Sequence, residues 1–134
     1  FGTATILITH DLGIVAEMAD HVAVMYAGQV VEFADVRTLF KSPQHPYTQA
    51  LLRSIPVIGE KQELLEVIEG RVPPLTNLPK GCLFAPRCVP RRESDEPRCE
   101  TDVPPLFDIG GEHMCRCWLR EHMAVSSERQ VEPA

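Results

Sequence analysis

Five cysteines lie between residues 82 and 117 of a 134-residue chain, and none precedes them. Cys82 and Cys88 are separated by five residues, Cys88 and Cys99 by ten, and Cys99 and Cys117 by seventeen. The Cys-x-x-Cys pair that most zinc ribbons use does not occur. Four thiolates can bind an iron–sulfur cluster, which does not demand one spacing, and zinc accepts four thiolates as well. Plain reduced thiols or a disulfide pair is the remaining reading. The odd number, with no secretory-signal pattern, weighs against a disulfide framework. Cys115 and Cys117 flank a single residue, and one of the two is expected to be a bystander.

The surroundings of these thiols explain why a crosslink is expected. From Val72 onward Pro73, Pro74, Pro79, Pro86, Pro90, Pro97, Pro104 and Pro105 forbid long regular elements. Short segments of this kind cannot offset their ordering entropy by burial alone. Arg87, Arg91, Arg92 and Arg98 are set among Glu93, Asp95, Glu96 and Glu100. That mixed patch, with a net charge of −6, argues against nucleic acid as a partner. No apolar run approaches the roughly 18 residues of a membrane-spanning helix.

The first part of the chain reads differently. Thr3 to Thr9 is β-branched and apolar, the pattern of a parallel strand buried on both faces, and it ends at His10-Asp11. Asp11 is placed to cap a helix carrying Leu12, Val15, Ala16 and Ala19 at helical spacing. In such α/β units ligands sit at strand C-termini; taken alone, however, a His there is most often a satisfied structural residue. Residues 22–26 and 29–33 flank Ala27-Gly28 as a hairpin. Asp35 can cap a short helix through Phe40, stopped by Ser42-Pro43, and Pro46 opens another from Tyr47 to Ser54 that is expected to bury Ala50, Leu51 and Ile55. Residues 60–70 read equally as helix or strand, and 123–134 as a disordered tail. The opening at Phe1, without Met and directly before an apolar run, is expected of a piece of a longer chain.

Residues 6–32, ILITHDLGIVAEMADHVAVMYAGQVVE, closely resemble the switch-histidine region of ATP-binding-cassette (ABC) ATPases. SPQHPYTQALLRSIP (42–56) resembles the His-Pro-Tyr signature that follows the ATPase core in oligopeptide, dipeptide and nickel importer subunits. GRVPPLTNLPKGCLFAPRC (70–88), PPLF (104–107) and HMCRCWL (113–119) are similar to the C-terminal extension of the same subfamily. The resemblance implies an α/β fold: the C-terminal edge of a P-loop ABC ATPase domain (1–41), a proline-rich extension stapled by cysteines and metal (42–122), and a tail (123–134).

The implied function is ATP hydrolysis coupled to solute uptake, with ATP and magnesium as cofactors of the whole subunit. The implied partners are a sister ATPase, two transmembrane permease subunits and an external solute-binding protein, and the implied location is peripheral, on the cytoplasmic face of the membrane. The strand-end histidine, here His10, contacts the γ-phosphate and orients the attacking water in that family. Members with the extension bind a four-iron, four-sulfide [4Fe-4S] cluster, which carries over to Cys82, Cys88, Cys99 and Cys117, with zinc as the alternative and Cys115 as the extra thiol. The phosphate loop G-x-x-x-x-G-K-[ST], the signature motif and the catalytic Glu strand have no counterpart in these residues, so the chain alone is expected to be inactive. The competing expectation is a non-catalytic, metal-stapled regulatory or interaction module; a thiol redox sensor built on Cys115 and Cys117 is a third.

Overall fold

The computed structural model describes residues 2–56, 59 and 67–125. Its first regular element is α1, Leu12–Met18, where Asp11 Oδ1 accepts from the Gly13 and Ile14 N–H groups at 2.9 and 3.2 Å. A carboxylate at this position satisfies orphan donors and suits the helix dipole. The parallel strand expected just before it is not formed. Residues 3–9 are irregular and exposed, with Ile6 91% and Ile8 93% accessible. A buried strand is stable only when neighbours pair with it and cover it, and among the described residues no strand runs beside this segment.

The hairpin forms as expected from β1 (His21–Tyr26) and β2 (Gln29–Asp35). Ala27 and Gly28 both take left-handed backbone, with φ of 48° and 81°, the two-residue turn whose twist matches the flanking strands. Val24 faces Glu32 while Met25 faces Val30, which leaves Val31 as an extra residue in a bulge. α2 (Val36–Lys41) is capped by Asp35, and α3 (Pro46–Arg53) is capped by His45, whose Nδ1 accepts from the Tyr47 N–H at 3.0 Å. α3 buries Pro46 and Thr48, whereas Ala50, Leu51 and Ile55 are only half-buried. The helix meets the rest of the fold through its first turn, so its apolar stripe stays partly open.

The proline-rich region holds only short elements: a 3-10 turn at Ala85–Arg87, α4 (Val89–Glu93), α5 (Arg98–Thr101), β3 (Phe107–Asp108), β4 (Met114–Cys115) and a 3-10 helix at Trp118–Met123. β4 pairs with β2, placing Cys115 opposite Glu32, and β3 pairs with β4. The result is one antiparallel sheet in the order β1-β2-β4-β3, in a small α/β fold. Leu83, Phe84 and Cys88 enter the same core as Val24, Tyr26, Val31, Ala34 and Leu39. Tyr26, Tyr47 and Phe84 pack ring against ring with centroids 4.8 to 5.4 Å apart. Apolar packing and sheet pairing therefore hold the cysteine-bearing region, which was expected to depend on a crosslink.

The expected tail is partly ordered: Met123 closes the 3-10 helix and the Val125 N–H donates to the Asp108 carbonyl at 2.9 Å. Residues 126–134 lie outside the described residues, as do 60–66 of the segment left between helix and strand, and 67–69 are irregular. Among the described residues no helix is long and apolar enough to cross a membrane.

Candidate functional site

His10 lies one residue before the α1 cap, fully on the surface. Its neighbours are fixed, since the Asp11 N–H donates to Thr9 Oγ1 at 3.0 Å. The imidazole itself makes no hydrogen bond or ion pair within the described residues. The structure thus leaves His10 apart from the cysteines.

The cysteines are gathered by backbone contacts. The Cys82 N–H donates to the Cys99 carbonyl at 3.0 Å. Gly81 permits this approach, because a Cβ there would stand 2.4 Å from the Cys99 oxygen and 2.7 Å from the Glu100 carbonyl carbon. Arg98 lies over the Trp118 ring at 4.3 Å and pairs with Glu96 and Glu121, which ties the residue before Cys99 to the one after Cys117. The Trp118 indole N–H donates to the Asp102 carbonyl at 2.8 Å.

All five thiols are free, four of them buried and Cys82 half-buried. Burial pushes the Cys82 and Cys88 thiols up, and Cys82 adds to the effect on Cys88. Cys99 is pushed up to about 11 by burial and then by Cys82 and Cys88. Cys117 is pushed up to about 12 by burial and then by the same two thiols. These mutual effects put Cys82, Cys88, Cys99 and Cys117 near one another, and Cys117 and Cys82 act on Cys115 in the same way. Even so, among the described residues no three His, Cys, Asp or Glu side chains are arranged to hold a metal ion.

Cys115 stands in β4 with no exposure, raised furthest by burial and then by Glu32. Reactive thiols need depressed pKa values and access to solvent, so the Cys115/Cys117 redox-sensor reading finds no footing.

Three buried polar side chains, Glu32, His45 and Arg116, anchor the fold, and of these only His45, within His-Pro-Tyr, was singled out from the sequence, for a packing role. Glu32 is wholly buried and accepts from the Gln44 N–H at 2.7 Å, the His45 N–H at 2.9 Å and His113 Nε2 at 2.6 Å. Burial alone would raise its carboxyl, but His113, the Thr48 hydroxyl and the two backbone donors outweigh burial and hold it below the ordinary range. The His-Pro-Tyr segment is therefore bolted to the hairpin through one carboxylate. His45 is also buried and is lowered to about 4, chiefly by burial, so it is neutral. With Nδ1 accepting, its proton sits on Nε2.

Arg116 is the third. It is 5% exposed, its N–H donates to the Val31 carbonyl at 2.8 Å, and its Nε and Nη1 donate to the Val30 and Pro104 carbonyls at 2.8 and 3.3 Å. The available signals were an acidic residue at an inward-facing strand position and an Arg between two cysteines. An open groove of about 620 Å³ runs along His21, Phe33, Asp108 and Glu112, and none of the predicted site residues lines it.

The family described as "Oligopeptide/dipeptide transporter, C-terminal region" matches residues 31–94. The oligopeptide transport ATP-binding protein AppD of Bacillus subtilis is 50% identical over 121 residues, covering 90% of this chain and 36% of that protein. The dipeptide transport ATP-binding proteins DppD of Haemophilus influenzae and of Escherichia coli are 46% and 44% identical, covering 87% and 85% of this chain and 34% of each relative. The chain thus spans about a third of the length of the curated relatives it matches. It belongs to the oligopeptide/dipeptide transporter ATP-binding family and corresponds to the C-terminal region of such an ABC subunit.

Proposed function

We propose that this chain serves in the ATP-binding subunit of a peptide-type ABC importer, completing the nucleotide site with His10 and carrying a thiolate-held cluster beside it. The observation that carries this reading is the identity of 44 to 50% to transport ATP-binding proteins over 85 to 90% of the chain. The solute is a peptide or another small solute of the importer, nickel included. The partners are a sister ATPase, two transmembrane permease subunits and an external solute-binding protein, and the subunit sits peripherally on the cytoplasmic face of the membrane.

In this reading ATP and magnesium bind mainly to parts of the subunit other than these residues. His10 follows the segment 3–9 and precedes a capped helix, with an imidazole that has no hydrogen-bond partner among the described residues. It can donate to the γ-phosphate and orient water, and phosphoryl transfer is governed by such positioning and charge stabilisation. Without the phosphate loop this chain alone does not turn over ATP.

Cys82, Cys88, Cys99 and Cys117 would hold a [4Fe-4S] cluster, which would supply a crosslink between the segments that carry them. Four thiolates are the donor set such a cluster takes, each able to serve a different iron. Zinc, which four thiolates bind at about 2.3 Å, is the alternative occupant of the same residues. Cluster redox chemistry is not needed for this role.

The test of the nucleotide role uses the subunit with its upstream core in place. His10→Ala is expected to cut ATP turnover by about 10²–10³, the typical worth of one donor to developing charge, while leaving the circular dichroism spectrum unchanged. Unchanged turnover would remove His10 from the site.

A further inference from the structure

One row of side chains crosses all four strands of the sheet. Ala23 pairs with Phe33, Phe33 with Met114, and Met114 with Asp108, so these side chains share one face. The next row, Glu32, Cys115 and Phe107, is buried and points into the core, which turns the first row outward. The groove of about 620 Å³ lies on this outward face. Phe33, Met114 and Val125 give it apolar walls, and Asp108 and Glu112 add two carboxylates. The His21 ring stacks on Phe33 with centroids 5.7 Å apart and planes 4° apart, forming a flat shelf.

Strained backbone sets the acidic rim. Gly110, Gly111 and Glu112 are successive left-handed residues, with φ of 95°, 60° and 60°. Glycine adopts that conformation freely, whereas a glutamate does so at a cost that usually accompanies function. The Glu112 carboxylate stands 3.7 Å from His21 Nε2 as an exposed pair, a weak interaction that another cation can replace.

A feature of the opposite character lies in the proline-rich region. The Asn77 N–H donates to the Pro74 carbonyl at 2.9 Å, closing a four-residue turn. Leu75 stands in that turn 74% accessible, and Val72 and Leu78 on either side are 56% and 40% accessible. Exposed Arg71 and Lys80 flank them, and residues 71–80 include no acidic residue in a chain of net charge −6. An apolar knob between cations thus matches an apolar groove between carboxylates, and complementary charge of this kind fixes partner and register.

We infer that the turn at residues 71–80 docks in the sheet-face groove of a second copy of this chain. Leu75 and its apolar neighbours meet Phe33, Met114 and Val125, while Arg71 and Lys80 face Asp108 and Glu112. Each chain offers one knob and one groove, so two copies close into a symmetric pair with the contact made twice. Neither His10 nor the cysteines take part in this contact.

Sedimentation velocity of this chain over a range of concentrations tests the pairing. The parent is expected to dimerise, less so as salt is raised. Arg71→Glu with Lys80→Glu makes the knob acidic beside an acidic groove. Glu112→Lys with Asp108→Asn makes the groove basic beside a basic knob, and the Asn still accepts from the Gly110 N–H. Each double variant alone is expected to dimerise more weakly by about tenfold or more, because like charges then meet at both contacts. An equimolar mixture of the two restores opposite signs at both contacts and is expected to dimerise like the parent. Leu75→Ser, which changes no charge and leaves the groove intact, is expected to weaken the dimer too. A parent that stays monomeric would overturn the pairing, as would double variants or Leu75→Ser that associate like the parent. Charge variants that remain apart when mixed would overturn it as well.

Discussion

Single residues decide how closely the cysteine loops can meet. Gly81 has an ordinary backbone conformation, so its requirement is space: the carbonyl of Cys99 occupies the volume a methyl group would need. Gly81→Ala is expected to push the Cys82 loop off the Cys99 loop, break their 3.0 Å hydrogen bond and cost about 1–3 kcal/mol, as overpacking against backbone does. Urea unfolding of the parent and variant checks this, and an unchanged midpoint would mean the two loops can part freely. Nothing in the sequence exposes this contact, because it joins residues 81 and 99 across a region with no periodicity. The choice of Cys82, Cys88, Cys99 and Cys117 came from the family resemblance, because their spacing alone left cluster, zinc and plain thiols open. Arg116 was not legible, since an Arg between two cysteines gives no local sign of burial.

At the scale of elements, β2 and the first turn of α3 are locked by Glu32 and His45. The caps at Asp11 and Asp35 and the Ala27-Gly28 turn were legible because each depends on neighbouring residues alone. Glu32 was not legible, because only the pairing of β1 with β2 sets it opposite Val24 and turns its carboxyl into the core. The lock has a pH dependence whose sign is fixed by the shifts. His45 titrates near 6.5 in an unfolded chain and at about 4 in the fold, so the unfolded state binds more protons between those values. Stability is fully present above about 6.5 and falls as pH drops toward 4, by on the order of 3 kcal/mol. Glu32, lowered from 4.5, has the same sign, and its share is lost at more acid pH. His45→Asn keeps an acceptor for the Tyr47 N–H but cannot titrate. Its stability between pH 7 and 4.5 is expected to fall less steeply than the parent's, and parallel curves would show that His45 is not the acid-sensitive group.

For the molecule as a whole, the family resemblance was legible from three motifs in order, while the architecture was misread in two respects. The apolar run at residues 3–9 has the composition of a buried parallel strand, but composition cannot supply the neighbours such a strand requires, and Ile6 and Ile8 stand exposed. The proline-rich region was read as lacking a core because its own apolar residues are few. Leu83, Phe84 and Cys88 share the core of the hairpin instead, a long-range contact that local pattern cannot show. The region is thus held by packing against the hairpin and does not depend on a crosslink. The most direct measurement is the iron and acid-labile sulfide content of the anaerobically purified chain, with Cys99→Ser and Cys115→Ser alongside. Near four irons and four sulfides per chain, lost in Cys99→Ser and kept in Cys115→Ser, is the predicted result. Iron-free protein, or equal loss from both variants, would contradict the assignment of Cys82, Cys88, Cys99 and Cys117 as its ligands.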